Sequence, residues 1–308
     1  MKVVFLGTPE FALNVLEGIY ESHHEVVAVV CQPSKPVGRG GKVVDPPTKV
    51  FADAHGIPCF QFSKISKEGV DDLKSLDADI MVTAAYGQIL SKEVLEITPN
   101  GVINVHASLL PNYRGSSPIQ WAILCGEKKT GVTIMRTNVG IDDGDMLLQE
   151  ECGIGEEDTD ETMFEKLSHI GSRLIVEALD LIETGKAKFV PQGGKFTYFP
   201  MIKKEMAKID FDKTAKEIDQ LVRAFNTWPV AHFEACGQVF KVYKTNPLNG
   251  EFAGENGQVV ASSSKAGLVI KCKGGAIEIV EMQAPNSKRM LARSFLNGKK
   301  IDVGTKVC

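Results

Sequence analysis

The stretch GVINVHASLLPNYRGSSPIQ, residues 101–120, joins a strand pattern to a loop. Val102, Ile103 and Val105 form a β-branched run suited to a pleated sheet. The run ends at His106, and the loop after it is punctuated by Pro111 and Gly115. Residues two apart on a strand share a face, so Asn104 and His106 point the same way at the end of the strand. The same grammar extends outward. Residues 2–7, 25–32, 78–86 and 131–137 are short runs nearly continuous in Val, Ile and Ala, as buried parallel strands are. Helical patterns lie between them at 9–22, 47–55 and 117–126, and a long one at 160–185 opens on acids and closes on Gly185. Alternation of this kind predicts right-handed crossovers and a doubly wound α/β sheet. Such sheets take their ligands outside the carboxyl ends of the strands.

A chain of 308 residues is long for one core, which predicts two domains. Hydrophobic residues make up 43% and charged residues 24%, with net charge −4. No run of about 18 apolar residues is present to span a bilayer. The opening MKVVFLGTPEF reads as a first strand and not as a signal peptide. Cys31, Cys59, Cys125, Cys152, Cys236, Cys272 and Cys308 are odd in number and far apart, without a C-x-x-C pair. A reducing cytoplasm is the expected home, and nothing demands more than a monomer. Residues 186–210 lose the strand–helix rhythm and read as a surface linker. A helix at 214–226 and short alternating runs separated by Gly or Asn then predict a small antiparallel barrel. The expected domains are 1–188 and 207–308, with a linker at 189–206. From residue 206 onward Lys and Arg number 15 against 10 acids, leaving 20 against 29 before it. A basic module behind an acidic one points to a polyanionic partner.

By itself, a polar pair at a strand end is commonly a hydrogen-bonded plug. The loop NVGIDDGDML, residues 138–147, adds Asp142, Asp143 and Asp145 after the next strand. A strand leaving the same sheet edge would bring a carboxylate to the histidine. Amide donor, proton carrier and orienting carboxylate then converge. A calcium loop is the alternative for these aspartates, but the required D-x-[DN]-x-[DN]-G-x5-E spacing is missing, so no metal is expected. A nicotinamide-dependent dehydrogenase would need G-x-G-x-x-G after the first strand, where this chain has GTPEFA with only Gly7. A purely RNA-binding protein would leave Asn104, His106 and Asp142 without a use. The segment CQPSKPVGRGGKVVDPPTK, residues 31–49, holds four prolines, three glycines and the cations Lys35, Arg39, Lys42 and Lys49. It reads either as a solvated surface loop or, given its length, as a functional one.

FLGTPEFA, AAYGQIL, INVHASLLPNYRGSSPIQWAIL and GVTIMRTNVGIDDGDML resemble, in order and spacing, the folate-dependent formyltransferases. TYFPMIKKEMAKIDF and LVRAFNTWPVAHF narrow the resemblance to the branch that formylates methionyl-tRNA. The resemblance runs nearly the whole length. It implies a Rossmann-like domain holding 10-formyltetrahydrofolate, followed by an oligonucleotide-binding barrel, and transfer of formyl to the amino group of the initiator methionyl-tRNA. In the family's N-x-H…G-x-D-x-G-D pattern the catalytic trio is Asn104, His106 and Asp142. Ser108, Leu109, Leu110 and Pro111 would line the folate site, with Tyr86, Gln88, Ile89 and Leu90 near the pterin. The insertion at 31–49 would enter the acceptor stem through Arg39, helped by Lys35 and Lys42. Lys203, Lys204, Lys208, Arg223, Lys241, Lys244, Lys271 and Lys273 are further cations for the tRNA. Relatives that formylate a small amine or a sugar nucleotide, or that hydrolyse formyl-folate, share the trio; the cationic insertion and basic tail favour tRNA. Two departures stand out. Asp143 replaces a common Thr, and NTWPVAHF replaces N-P-W-P-G-A-W-F, losing a Pro and an aromatic.

Overall fold

The computed structural model describes residues 1–37, 41–298 and 301–308, and the chain divides into two compact units. The first comprises residues 1–118, 129–153 and 164–199. Its strands are β1 (Lys2–Gly7), β2 (Glu25–Cys31), the hairpin pair β3 (Lys35–Val37) and β4 (Lys42–Val44), β5 (Cys59–Gln61), β6 (Ile80–Ala84), β7 (Val102–His106), β8 (Arg114–Gly115), β9 (Lys129–Arg136), β10 (Met146–Gly153) and β11 (Tyr198–Phe199). The main sheet has the order β10-β9-β7-β6-β1-β2-β5. Val3 to Leu6 on β1 and Ile80 to Val82 on β6 are at most 1% exposed, as strands covered on both faces must be. Helices α1 (Glu10–Tyr20) and α2 (Pro47–Ala54) supply crossovers, and α3 (Ile65–Glu68), α4 (Val70–Ser75) and α5 (Lys92–Leu95) are short turns. On α1, Phe11, Ala12, Val15, Leu16 and Ile19 are buried, a stripe at helical spacing. The Rossmann-like architecture is thus that of the sequence pattern.

The direction of one strand differs from the expectation, and one strand was not expected. The five strands from β5 to β7 are parallel. β9 runs antiparallel to β7, pairing Arg136 with Ile103 and Thr133 with His106. β10, which the sequence pattern did not reveal, runs antiparallel to β9. The loop after β9 therefore starts beside Ile103, not beyond His106, and reaches the histidine by folding back. The acids in MLLQEECG hide β10 because it is an edge strand with only partial burial.

The second unit comprises residues 119–128, 154–163 and 200–308. Most of α6 (Pro118–Leu124) and the first turn of α7 (Asp160–Glu183) belong to it. Helix α8 (Ala215–Ala224) begins on a capping box: Thr214 Oγ1 accepts from the Glu217 amide and Glu217 Oε2 accepts from the Thr214 amide. The strands β12 (His232–Ala235), β13 (Gln238–Asn249), β14 (Val259–Ser263), β15 (Gly267–Cys272) and β16 (Gly275–Gln283) are arranged in the order β12-β13-β16-β15-β14, with β17 (Met290–Leu291) on β16 and α9 (Ala292–Phe295) behind it. Residues 304–308 join the two edges. Gly304 and Val307 donate to the carbonyls of Val259 and Gly257, and the Cys308 amide and carbonyl pair with those of Glu234 on β12. These bonds cover both exposed edges of the barrel sheet. Among the described residues, no helix is long and apolar enough to cross a membrane.

The altered residues at 226–233 find their partners within this unit. Thr227, where the pattern implied by the resemblance has Pro, donates from both its hydroxyl (2.5 Å) and its amide (3.3 Å) to Asp160. The Asn226 amide adds a third donor at 3.2 Å. Proline could offer neither an amide hydrogen nor a hydroxyl. Asp160 is fully buried; burial pushes its carboxyl above the usual carboxylate range while these bonds pull it back. Val230, where that implied pattern has Gly, has φ +67°. A β-branched side chain in the left-handed region is strained. We expect Val230→Gly to be more stable than Val230→Ala by about 1 kcal/mol, because both lose the two γ-methyl groups but only Gly relieves the backbone. Comparing the two melting temperatures checks this; a higher midpoint for the alanine variant would rule out a left-handed Val230.

Candidate active site

β7 is a rigid rail for the first two polar groups. His106 is 6% exposed, and Asn104 lies two residues before it on the same face and is partly exposed. On the neighbouring β6, the Thr83 hydroxyl donates to Asn104 Oδ1 at 2.9 Å. With its carbonyl oxygen engaged, the Asn104 amide presents its NH2 as the remaining donor. The His106 Nε2 lies 3.0 Å from the Tyr113 carbonyl. A carbonyl only accepts, so Nε2 carries the hydrogen, and the neutral ring offers its lone pair at Nδ1.

Asp142 comes to that nitrogen by the folded-back loop. Its Oδ2 is 3.7 Å from His106 Nδ1, within reach for charge but beyond a direct hydrogen bond. The same oxygen accepts from the Gly115 amide at 2.8 Å. Tyr113, Arg114 and Gly115 thus form a strap: the carbonyl of the first fixes the imidazole, and the amide of the third fixes the carboxylate. Parallel pairing of β8 with β11 holds the strap in place. Gly115 has φ +99°, and a Cβ there would lie 2.4 Å from the Phe199 carbonyl oxygen. Only glycine fits that approach. Asp142 itself has φ +49°, which Asp tolerates better than most residues.

Gln192, in the stretch read as a linker, is a residue that sequence reasoning missed. Its Oε1 accepts from Arg114 Nε (3.0 Å) and Nη2 (2.7 Å). Its Nε2 donates to the carbonyls of Asp142 (2.9 Å) and Gly144 (2.8 Å). One amide therefore ties the strap to the aspartate loop. Thr197 from the same stretch accepts the Tyr113 amide at 2.7 Å. Thr83 and the strap were missed too. Gln192 and Thr197 carried no legible signal, because a neutral amide and a hydroxyl in an irregular segment look like solvated loop. The aspartates do not gather as a cation loop would need. The Asp143 carboxylate packs on Gly140, and the only group of metal-ligating side chains found among the described residues is His23, His24, Asp180 and Glu183.

The residues expected around folate fall into two sets. Ile89 is 79% exposed, and Gln88, Leu109 and Pro111 are partly exposed. Tyr86, Leu90, Ser108 and Leu110 are buried. Gln88 is engaged with the Ile65 amide and the Phe62 carbonyl, and the Ser108 hydroxyl with the Asn112 carbonyl. The backbone of 108–110 is anchored through Thr133 and Gln149, which gives Leu109 and Pro111 a fixed place. The Tyr86 hydroxyl is buried without a hydrogen-bond partner among the described residues, and burial pushes its pKa up.

For the cations, Arg39 lies outside the described residues. Lys35 and Lys42 are exposed on the β3–β4 hairpin; Lys35 pairs with Val44 and Val37 with Lys42, so both lysines stand on one face. In the second unit Lys203, Lys204, Lys241 and Lys273 are exposed. The others have partners: Arg223 with Asp219, Lys244 with Glu157, Lys208 with Glu234 and Lys271 with the Cys272 carbonyl.

Comparison with known proteins supplies the lineage. Residues 1–179 match the family described as "Formyl transferase", and residues 201–300 match "Formyl transferase, C-terminal domain". A "Methionyl-tRNA formyltransferase" of Agathobacter rectalis is 42% identical over 307 residues, covering 99% of both chains. Among solved structures, an N-formyltransferase from Helicobacter canadensis in complex with folinic acid and dTDP-3-aminofucose has TM-score 0.68 at 22% identity, over 92% of this chain and 99% of that one. HypX from Aquifex aeolicus in complex with tetrahydrofolic acid has TM-score 0.68 at 19% identity, over 99% of this chain and 50% of that one. At such identities the two structures speak for the fold alone, whereas the full-length relative and the matches to both halves speak for descent. On that ground this chain belongs to the formyl transferase family.

Proposed function

We propose that the chain moves the formyl group of 10-formyltetrahydrofolate to the amino group of methionine on the initiator tRNA, as a monomer in the cytoplasm and without a metal. The observation that carries the mechanism is the orientation of His106, whose Nε2–H is held by Tyr113 while Nδ1 faces Asp142. An α-amino group has a reference pKa of about 7.7–8.0, and an adjoining ester lowers it, so the nucleophile is largely unprotonated near neutrality. The difficulty lies after attack, when the adduct holds an oxyanion, a positive attacking nitrogen and a poor leaving nitrogen. Asn104 offers its NH2 to the oxyanion, an effect worth about 3–4 kcal/mol in comparable sites. His106 Nδ1 takes the proton from the attacking nitrogen and returns it to N10 as the carbon–N10 bond breaks. Asp142 offsets the charge that the ring carries in passing, and its 3.7 Å distance leaves the Nδ1 lone pair open.

The residues suited to hold the folate are Ile89, Leu109 and Pro111, the exposed or partly exposed apolar members of the expected set. The RNA would meet the hairpin that carries Lys35 and Lys42 and the exposed Lys203 and Lys204. A small-amine acceptor is the competing reading. A formyl-transfer assay offering charged initiator tRNA, charged elongator tRNA, water and a small amine separates the two, and preference for anything but the first would overturn the proposal.

The chemistry sets three measurable outcomes. His106→Ala and Asp142→Asn should each lower turnover by about 100-fold or more; near-normal single-turnover rates would remove the trio from the mechanism. Gln192→Glu keeps the acceptor for Arg114 but loses donation to the two carbonyls. It should cut kcat by about tenfold with little change in the KM for folate, whereas equal damage to both would indicate a general structural role. Binding of the charged tRNA should weaken steeply between about 50 and 200 mM salt, as about three to five phosphate contacts require. Folate binding, followed in the same titration, should hardly move.

A further inference from the structure

The segment 196–199 is extended, and its side chains alternate between two faces. Thr197 and Phe199 engage the strap: Thr197 Oγ1 accepts from the Tyr113 amide, the Thr197 carbonyl accepts from the Arg114 amide, and Phe199 stacks on Tyr113 with ring centres 4.9 Å apart. The alternate positions point to the other face, and both are aromatic. Phe196 is 59% exposed and Tyr198 53%. Two neighbouring rings held open to water on one face are a costly surface without a ligand. The Arg114 guanidinium lies 4.5 Å from the Phe196 ring centre. Its hydrogen-bond partner Gln192 is neutral and no carboxylate pairs with it among the described residues, so its charge is not cancelled. Tyr198 lies against Gly115, where a Cβ would come within 2.8 Å of its ring.

We propose that Phe196 and Tyr198, with Arg114, form a stacking seat for the unpaired terminal nucleotide of the acceptor RNA. The inference rests on the function proposed above and names the part of the substrate that this surface takes. Position favours it first. Arg114 lies between the residue that holds His106 and the residue that holds Asp142, so a group stacked there adjoins the strap that carries both. The amino acid is esterified to that same terminal nucleotide, and its base has to rest close by. The chemistry suits it as well. Aromatic faces accept any base, and an uncancelled guanidinium beside them matches the adjoining phosphate. Topology keeps the two substrates apart. The residues expected around the pterin, 86–90, leave from β6 on one side of β7, while the Asp142 loop and the Val190–Met146 bridge belong to β9 and β10 on the other.

The test compares full-length initiator tRNA with the same tRNA trimmed of its terminal nucleotide, binding to the wild-type protein and to the double variant Phe196→Ala/Tyr198→Ala. For the wild type, trimming should weaken binding by about tenfold or more; in the double variant trimming should matter by less than about twofold. The charged tRNA should show a matching rise in KM, with the KM for folate unchanged and aromatic exchange (Phe196→Tyr/Tyr198→Phe) restoring the wild-type value. A trimming penalty that persists in the double variant overturns the seat. So does a rise in the folate KM, which would assign the rings to the other substrate. Failure of the wild type to formylate charged tRNA at all would instead sink the underlying function. Both rings are exposed, and an unchanged melting temperature reports that the variants fold.

Discussion

Two hydrogen bonds to one three-residue strap decide where the imidazole and the carboxylate meet: His106 Nε2–H to the Tyr113 carbonyl, and the Gly115 amide to Asp142 Oδ2. Neither side chain is placed by its own element alone. β7 aims the ring but leaves its rotation open, and the loop after β9 is irregular. The strap resolves both by pairing with β11 and by using a glycine at φ +99° against the Phe199 carbonyl. A constellation of this kind tolerates little displacement, since misplacement of about 1 Å can cost about 100-fold in rate. The supporting shell is thus as much part of the site as the trio it supports.

Gln192 shows how that support is made without adding charge. An amide at its position meets four partners at once, two donors of a guanidinium and two main-chain carbonyls. A carboxylate would satisfy the arginine but would face the carbonyls with lone pairs. A fully satisfied polar link of this sort rigidifies its surroundings, while a partly satisfied one loosens them. Because the amide itself is neutral, Arg114 keeps its charge facing outward, and Asp142 remains the carboxylate close to the imidazole.

Much of the frame was legible in the residues. Runs rich in Val and Ile such as 3–6 and 80–82 are what parallel central strands require, and the helical pattern at 214–226 marks α8. Spacing of two also placed Asn104 and His106 on one face. The direction of β9 was not legible, because periodicity within a strand is the same whichever way the chain runs. β10 was masked by its edge position, and its acids gave it the look of a loop. The strap and Gln192 escaped for another reason: their contributions come largely from main-chain atoms and a neutral amide, whose value depends wholly on the groups lying opposite. Val230 was missed as strain because φ is a property of the folded backbone.

The net charge of residues 1–205 or 206–308 does not by itself say which cations are free to meet a polyanion. The acidic half carries the hairpin lysines and Arg114, and the basic half has several cations already engaged, Arg223 with Asp219 and Lys244 with Glu157 among them. At physiological ionic strength the screening length is about 8 Å, so a phosphate responds to the nearest uncancelled charge and not to the sum over a unit. Exposed cations without a carboxylate partner therefore count, and paired ones contribute little. By that criterion Lys35, Lys42, Lys203, Lys204, Lys241 and Lys273 matter more than the net positive charge of the basic half. Arg114 belongs with them, since among the described residues no carboxylate pairs with it, and it sits on the strap that holds the imidazole.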